Sequence, residues 1–173
     1  MKIASTLMIT LSVMMMAGCA GTPHAKDADD HHAAHDEPRP YDALADARND
    51  ILTATQAAKD ADKMTIIAMG ANWCHDSRGL AAQFEKPRFQ TLLSENYELV
   101  YVDVGQKNRN IDIAQDYGVD SIVGTPTVFI LSPDGDVLNL ETAPTWRNAA
   151  SRSEDEIFEY FESFTTGALT STE

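Results

Sequence analysis

Two stretches decide how this chain is read: Trp73-Cys74-His75-Asp76-Ser77, and Gly124-Thr125-Pro126-Thr127 about fifty residues later. Before the first lies Met64-Thr-Ile-Ile-Ala-Met69, a short apolar run with no polar alternation beyond Thr65, which predicts a strand buried on both faces. Gly70-Ala71-Asn72 then reads as a turn. From Cys74 a helix is predicted to run to Glu85 with Leu80, Ala81 and Phe84 inward. A cysteine in the first turn of a helix faces unpaired N–H groups and the positive end of the helix dipole, and both favour the thiolate, the nucleophilic form of sulfur. Ser77 stands one turn on, on the same face, where its hydroxyl can donate to that sulfur. Protonated His75 would assist the anion, and Asp76 opposes it by like charge.

Working outward, Asp42 is expected to cap a helix in which Leu44, Ile51 and Leu52 share a face with Ala47 and Ala58, ending near Lys59. Pro87 must end or kink the helix after Cys74, ahead of a second piece carrying Phe89, Leu92 and Leu93. Tyr97–Asp103 predicts a second strand, and Asn110 a cap for a short helix with Ile111, Ala114 and Tyr117 that stops at Gly118. Thr127–Leu131 and Val137–Leu140 flank Pro133-Asp134-Gly135 and predict a hairpin. Ser153 and Glu156 have capping-box spacing ahead of Ile157, Phe158, Phe161 and Phe164, and Pro144-Thr-Trp146-Arg147 reads as loop packing. Parallel strands joined by helices and followed by an antiparallel hairpin give an α/β fold, a mixed central sheet with helices on both faces.

With both motifs placed in this order of elements, the chain from Tyr41 to Phe164 resembles the thioredoxin superfamily. Trp73-Cys74-x-x-Ser77 sits where that family has Trp-Cys-x-x-Cys, and Gly124-Thr-Pro-Thr127 sits where it has its cis-proline segment. The resemblance implies that Pro126 is cis and that the backbone of Thr125 presents hydrogen bonds to an extended substrate segment beside the sulfur. It also implies that Trp73 forms a wall of that groove, a role compatible with simple packing at the sheet edge. Two departures matter. A dithiol enzyme resolves its mixed disulfide with a second sulfur, and Ser77 cannot form a disulfide. The family's dithiol reductases also commonly carry a buried Asp six residues before the first cysteine, where this chain has Ala68.

The segment before Tyr41 reads as address and tether. Lys2, the apolar stretch Leu7–Ala17 and the small residues before Cys19 form a secretory signal, residues 1–18, too short to span a bilayer. Met16-Ala17-Gly18-Cys19 resembles the lipobox of bacterial lipoproteins, with Met16 in place of the more usual Leu; plain secretion with an incidental Cys19 is the alternative. By the same resemblance Cys19 is the lipidation site and has no redox chemistry, and Ala20 after it favours the outer membrane. Residues 19–40 hold Pro23, Pro38, Pro40 and a polar run with His24, His31, His32 and His35, which reads as a disordered tether. A loose transition-metal site is the alternative there, although no cysteine joins the histidines. The domain is placed at 41–165, with a frayed tail at 166–173.

A length of 173 residues, 43% of them hydrophobic and 23% charged, suits one globular domain once the leading segments are set aside. The net charge of −14 repels phosphate backbones, so nucleic acid is not an expected partner. Two cysteines in such different settings do not suggest a pair, which leaves Cys74 as the one free thiol of the mature chain. Three functions fit. Cys74, with Ser77 beside it, can act as a monothiol oxidoreductase or isomerase on periplasmic envelope proteins bearing thiols or disulfides, recycled by a thiol reductant. The fold can instead be a binding module in which Cys74 is a relic or a redox sensor. A metal-handling factor using Cys74, His75 and the tether histidines is the third. The reading requires no cofactor and assigns no metal ligand.

Overall fold

The computed structural model describes residues 37–166. The signal segment, Cys19, the tether histidines and the tail beyond residue 166 lie outside the described residues. In chain order the elements are α1 (Ala47–Asp60), β1 (Met64–Gly70), α2 (His75–Phe84), α3 (Pro87–Asn96), β2 (Tyr97–Asp103), α4 (Ile111–Asp116), β3 (Thr127–Leu131), a 3₁₀-helix (Ala143–Ser151) and α5 (Glu154–Thr165). The three strands form one sheet in the order β2-β1-β3, with β1 parallel to β2 and antiparallel to β3. This is the mixed thioredoxin-like sheet that the order of elements implies. Among the described residues no helix is long and apolar enough to cross a membrane.

The strands alternate between two cores, as a period of two requires. Ile66, Val128 and Ile130 face α2, α3, α5 and the 3₁₀-helix, whereas Ile67, Met69, Phe129 and Leu131 face α1 and α4. Residues Thr65 to Gly70 are all buried, so β1 is covered on both faces as expected. Trp146, read from sequence as loop packing, is fully buried on the 3₁₀-helix and stacks on Phe161 at a centroid distance of 5.0 Å. The capping box of α5 forms, with the Ser153 N–H donating to Glu156 Oε2 at 2.8 Å. That backbone hydrogen bond, followed by the one from the Ser153 hydroxyl, holds the Glu156 carboxyl below its ordinary value.

Several local expectations are corrected. α1 is capped by Asp46, which accepts from the Asn49 N–H at 3.2 Å; Asp42 instead closes a turn by accepting from the Leu44 N–H at 2.8 Å. Ala47, Ile51 and Ala58, four and seven residues apart, form the buried stripe, and Leu52, about 100° round the helix from Ile51, falls outside it and is 66% exposed; Leu44, before the helix, is 93% exposed. Asn110 precedes α4 but does not cap it: its φ is +55° and its side-chain amide donates to the Asp103 carbonyl at 2.9 Å.

The predicted hairpin turns at Gly135, whose φ of +94° suits glycine, but the second strand does not form. One bridge, Leu131 to Val137, and a bond from Leu138 N–H to Ile130 carbonyl at 2.8 Å begin the ladder. The buried side chain of Asn139 then takes over the strand's work. Its Oδ1 accepts from the Ile130 N–H and its Nδ2 donates to the Val128 carbonyl, both at 2.8 Å. A side-chain amide has one acceptor and two donors, enough to satisfy the edge of β3 in place of a backbone.

Candidate functional site

Cys74 lies at the point where β1 ends and α2 begins. Its N–H donates to the Ala71 carbonyl at 3.0 Å, and its own carbonyl accepts from Arg78 N–H at 3.1 Å, the first bond of the helix. It is the N-cap residue of α2, one position ahead of the helical turn in which sequence reading put it, with φ −85° and ψ 123°. No side chain caps the helix there: the sulfur is turned to Thr125 and makes no hydrogen bond to the N–H groups of the first turn. Cys74 is 9% exposed, and Sγ donates to the Thr125 carbonyl at 3.2 Å. The Thr125–Pro126 peptide bond is cis, as the resemblance implied, and it delivers that carbonyl to the sulfur from the start of β3. The two motifs separated in sequence therefore meet at a hydrogen bond.

Ser77 is on the same helix but does not bond to Cys74. Its fully buried hydroxyl accepts from the Ala71 N–H at 3.4 Å, which ties α2 back to the turn that carries the cysteine. The expected hydroxyl-to-sulfur hydrogen bond is thus replaced by one to the backbone, because the Ser77 side chain points under the turn. Trp73 is 50% exposed and its indole N–H donates to the Gly105 carbonyl at 2.8 Å, so the ring is anchored to the segment after β2 while remaining open to solvent. Asp76 is held by a neighbour: its Oδ1 accepts from the Ala150 N–H of the 3₁₀-helix at 2.9 Å. Ala68 is fully buried in β1.

Sequence reading missed a set of residues that shape the site from the N-terminal side. The Tyr41 N–H donates to Asn72 Oδ1 at 3.1 Å and Asn72 Nδ2 donates to the Tyr41 carbonyl at 2.8 Å, a two-way clasp on the residue next to Trp73. Arg39 donates to the Asn72 carbonyl at 3.3 Å, and Glu37 pairs with Arg78 at 3.0 Å and lies 3.5 Å from His75 Nδ1. Glu37 to Pro40, assigned to the tether from composition, therefore lie against the start of α2. The Tyr41 ring is buried edge-on to Tyr101 at 5.3 Å, and its hydroxyl lies beside the Ser77 side chain. Burial raises the Tyr41 phenol above its ordinary value, with Tyr101 adding to the rise and Ser77 opposing it. Gly70 is required where these groups converge: a Cβ there would lie 2.6 Å from Ser77 Oγ and from the Tyr41 hydroxyl. An aromatic residue directly after a proline-rich polar segment was the available signal for Tyr41 as an anchor.

His75 is exposed at the start of α2. Among the described residues no group of three or more His, Cys, Asp or Glu gathers as metal ligands would, and the tether histidines of the metal reading lie outside them.

A mixed sheet of this order, with a cysteine at the head of its first crossover helix facing a cis-proline, defines a thioredoxin-type domain. The thioredoxin-like family model matches residues 46–133, a little over half of the chain, and the chain belongs to that family. It is similar to the crystal structure of a disulphide isomerase from Xylella fastidiosa Temecula1, with 33% identity over 74% of this chain and 98% of that one and a TM-score of 0.69. It also matches the reduced C-terminal domain of Neisseria meningitidis DsbD at 22% identity, over 68% of this chain and 96% of that one, with a TM-score of 0.47. Among curated proteins none matches significantly.

Proposed function

We propose that this protein carries out monothiol thiol–disulfide exchange, chiefly isomerisation, on proteins of the bacterial envelope. The observation that carries the reading is the placement of Cys74: at the N-cap of α2 and in contact with the Thr125 carbonyl next to the cis peptide. The 33% identical relative described as a disulphide isomerase supports the same chemistry.

In the proposed cycle the Cys74 thiolate attacks one sulfur of a non-native substrate disulfide. That S–S bond breaks, a Cys74–substrate disulfide forms, and the other substrate sulfur leaves as a thiolate. A second thiolate of the same substrate then attacks the substrate sulfur of the mixed disulfide and expels Cys74, so a new substrate disulfide forms with no net oxidation. A substrate that lacks such a thiol is released by an external thiol reductant. Ser77 supports the turn through Ala71 and supplies no sulfur. Trp73, Thr125 and Pro126 form the surface against which the substrate segment lies.

The location is part of the proposal. Residues 1–18 export the chain, Cys19 is lipidated, and the domain faces the periplasm from a lipid anchor, in the outer membrane by virtue of Ala20. A non-catalytic binding module is the second reading, favoured by the near burial of Cys74 and the engagement of its thiol by Thr125.

Recovery of activity from a disulfide-scrambled substrate protein separates the two readings. The wild type is expected to accelerate recovery in a glutathione buffer and Cys74→Ser to leave the uncatalysed rate. Equal rates for both would select the binding module.

A further inference from the structure

Arg147 stands at the rim of the site without a partner. Arg39, Arg48, Arg78, Arg88, Arg109 and Arg152 each donate to an oxygen of the fold, whereas Arg147 makes no hydrogen bond or ion pair among the described residues. This is notable in a chain of net charge −14, where carboxylates outnumber cations roughly two to one. Its aliphatic stem is nevertheless packed, although the residue as a whole is exposed. A Cβ on Gly124 would lie 2.7 Å from Arg147 Cβ and 2.8 Å from its Cδ, so the aliphatic stem lies along Gly124, the residue before Thr125. The missing side chain at position 124 makes room for that stem. Asp76, whose carboxylate reaches the 3₁₀-helix that carries Arg147, is engaged there by the Ala150 N–H.

We propose that Arg147 is a specificity-determining residue that selects disulfides carrying an acidic side chain close to the reactive cysteine, a proposal that rests on the exchange reaction assigned to Cys74. A guanidinium with its stem packed and its donors free is prepared to take a carboxylate with two parallel hydrogen bonds. Its position beside Gly124-Thr125 puts it next to the backbone along which the substrate segment lies. The protein's overall charge repels an acidic substrate, so a local cation at the site is the feature that can reverse that bias where contact is made. The step affected is the attack of the Cys74 thiolate, in which the peptide S–S bond breaks, the mixed disulfide forms and the departing peptide sulfur takes a proton from solvent.

The test uses two peptide disulfides that differ only in a Glu or a Gln two residues from the reactive cysteine. Formation of the Cys74 mixed disulfide is timed with the wild type, Arg147→Gln and Arg147→Lys at low and high salt. Arg147→Gln is expected to slow reaction with the Glu peptide about three- to fivefold while leaving the Gln peptide within about twofold, a difference that salt reduces and that Arg147→Lys, which keeps the charge but not the paired donors, restores only in part. Equal effects of Arg147→Gln on both peptides, or none on either, would overturn the proposal and leave the role of Cys74 intact. Failure of the wild type to form a mixed disulfide with either peptide would overturn the exchange reading and this proposal together.

Discussion

Gly70 sets how closely the parts of the site can approach. It ends β1, and its bare Cα lets the Ser77 hydroxyl and the Tyr41 ring meet beneath the turn that carries Cys74. Gly70→Ala puts a carbon 2.6 Å from both groups, and neither can withdraw readily, since each is buried among other side chains. The expected cost is about 1–3 kcal/mol, read as a lower midpoint in urea denaturation with an unchanged slope. A midpoint equal to the wild type would show that the pocket relaxes freely. At this scale the sequence made Cys74, Trp73, Thr125 and Pro126 legible because their spacing and neighbours form recognisable motifs. The Tyr41–Asn72 clasp and the Glu37–Arg78 pair were not legible, because each joins residues more than thirty positions apart that belong to no motif. Ser77 was placed on the correct helix, but which of two acceptable partners its hydroxyl meets depends on the turn above it.

At the scale of elements, Asn139 stands in for a strand. The Ile130 N–H and the Val128 carbonyl are buried and, on that edge, paired with its amide, so removing it leaves two buried polar groups without their partner. Asn139→Ala is therefore predicted to destabilise the domain by about 2–4 kcal/mol, measurable by denaturant titration. Loss of less than about 0.5 kcal/mol would show that Val137–Leu140 shifts to complete the ladder with its own backbone. This explains why the hairpin was predicted in full and formed only in part. The turn chemistry of Pro133-Asp134-Gly135 is local and readable, whereas the choice between a backbone and a side-chain partner at the sheet edge is tertiary. The same distinction separates β1, β2, α3 and α5, which follow from apolar period and end signals, from the start of α1. There Asp42 and Asp46 are both suitable caps, and the turn that Asp42 closes with the Leu44 N–H leaves the cap to Asp46.

At the scale of the whole molecule, the sheet separates two cores and leaves Cys74 at the end of β1 where α2 and the start of β3 converge, a placement set by topology. The fold class was legible because the order of elements and the two motifs agree; the proposed anchor and tether rest on composition and a lipobox-like run alone, in residues outside the described ones. Cys19→Ala is predicted to shift the protein from the membrane to the soluble fraction of cells, because an acidic surface offers no other attraction to anionic lipid. Unchanged membrane retention would exclude lipidation as the anchor. The central claim, a single sulfur working in a groove built for exchange, is tested most directly by insulin reduction with a chemical reductant, comparing the wild type, Ser77→Cys and Cys74→Ser. The account predicts little turnover and accumulated mixed disulfide for the wild type, none of either for Cys74→Ser, and clear turnover for Ser77→Cys, slowed relative to dithiol thioredoxins by Ala68. Strong turnover by the wild type, or a Ser77→Cys variant that neither closes a disulfide nor turns over, would contradict it.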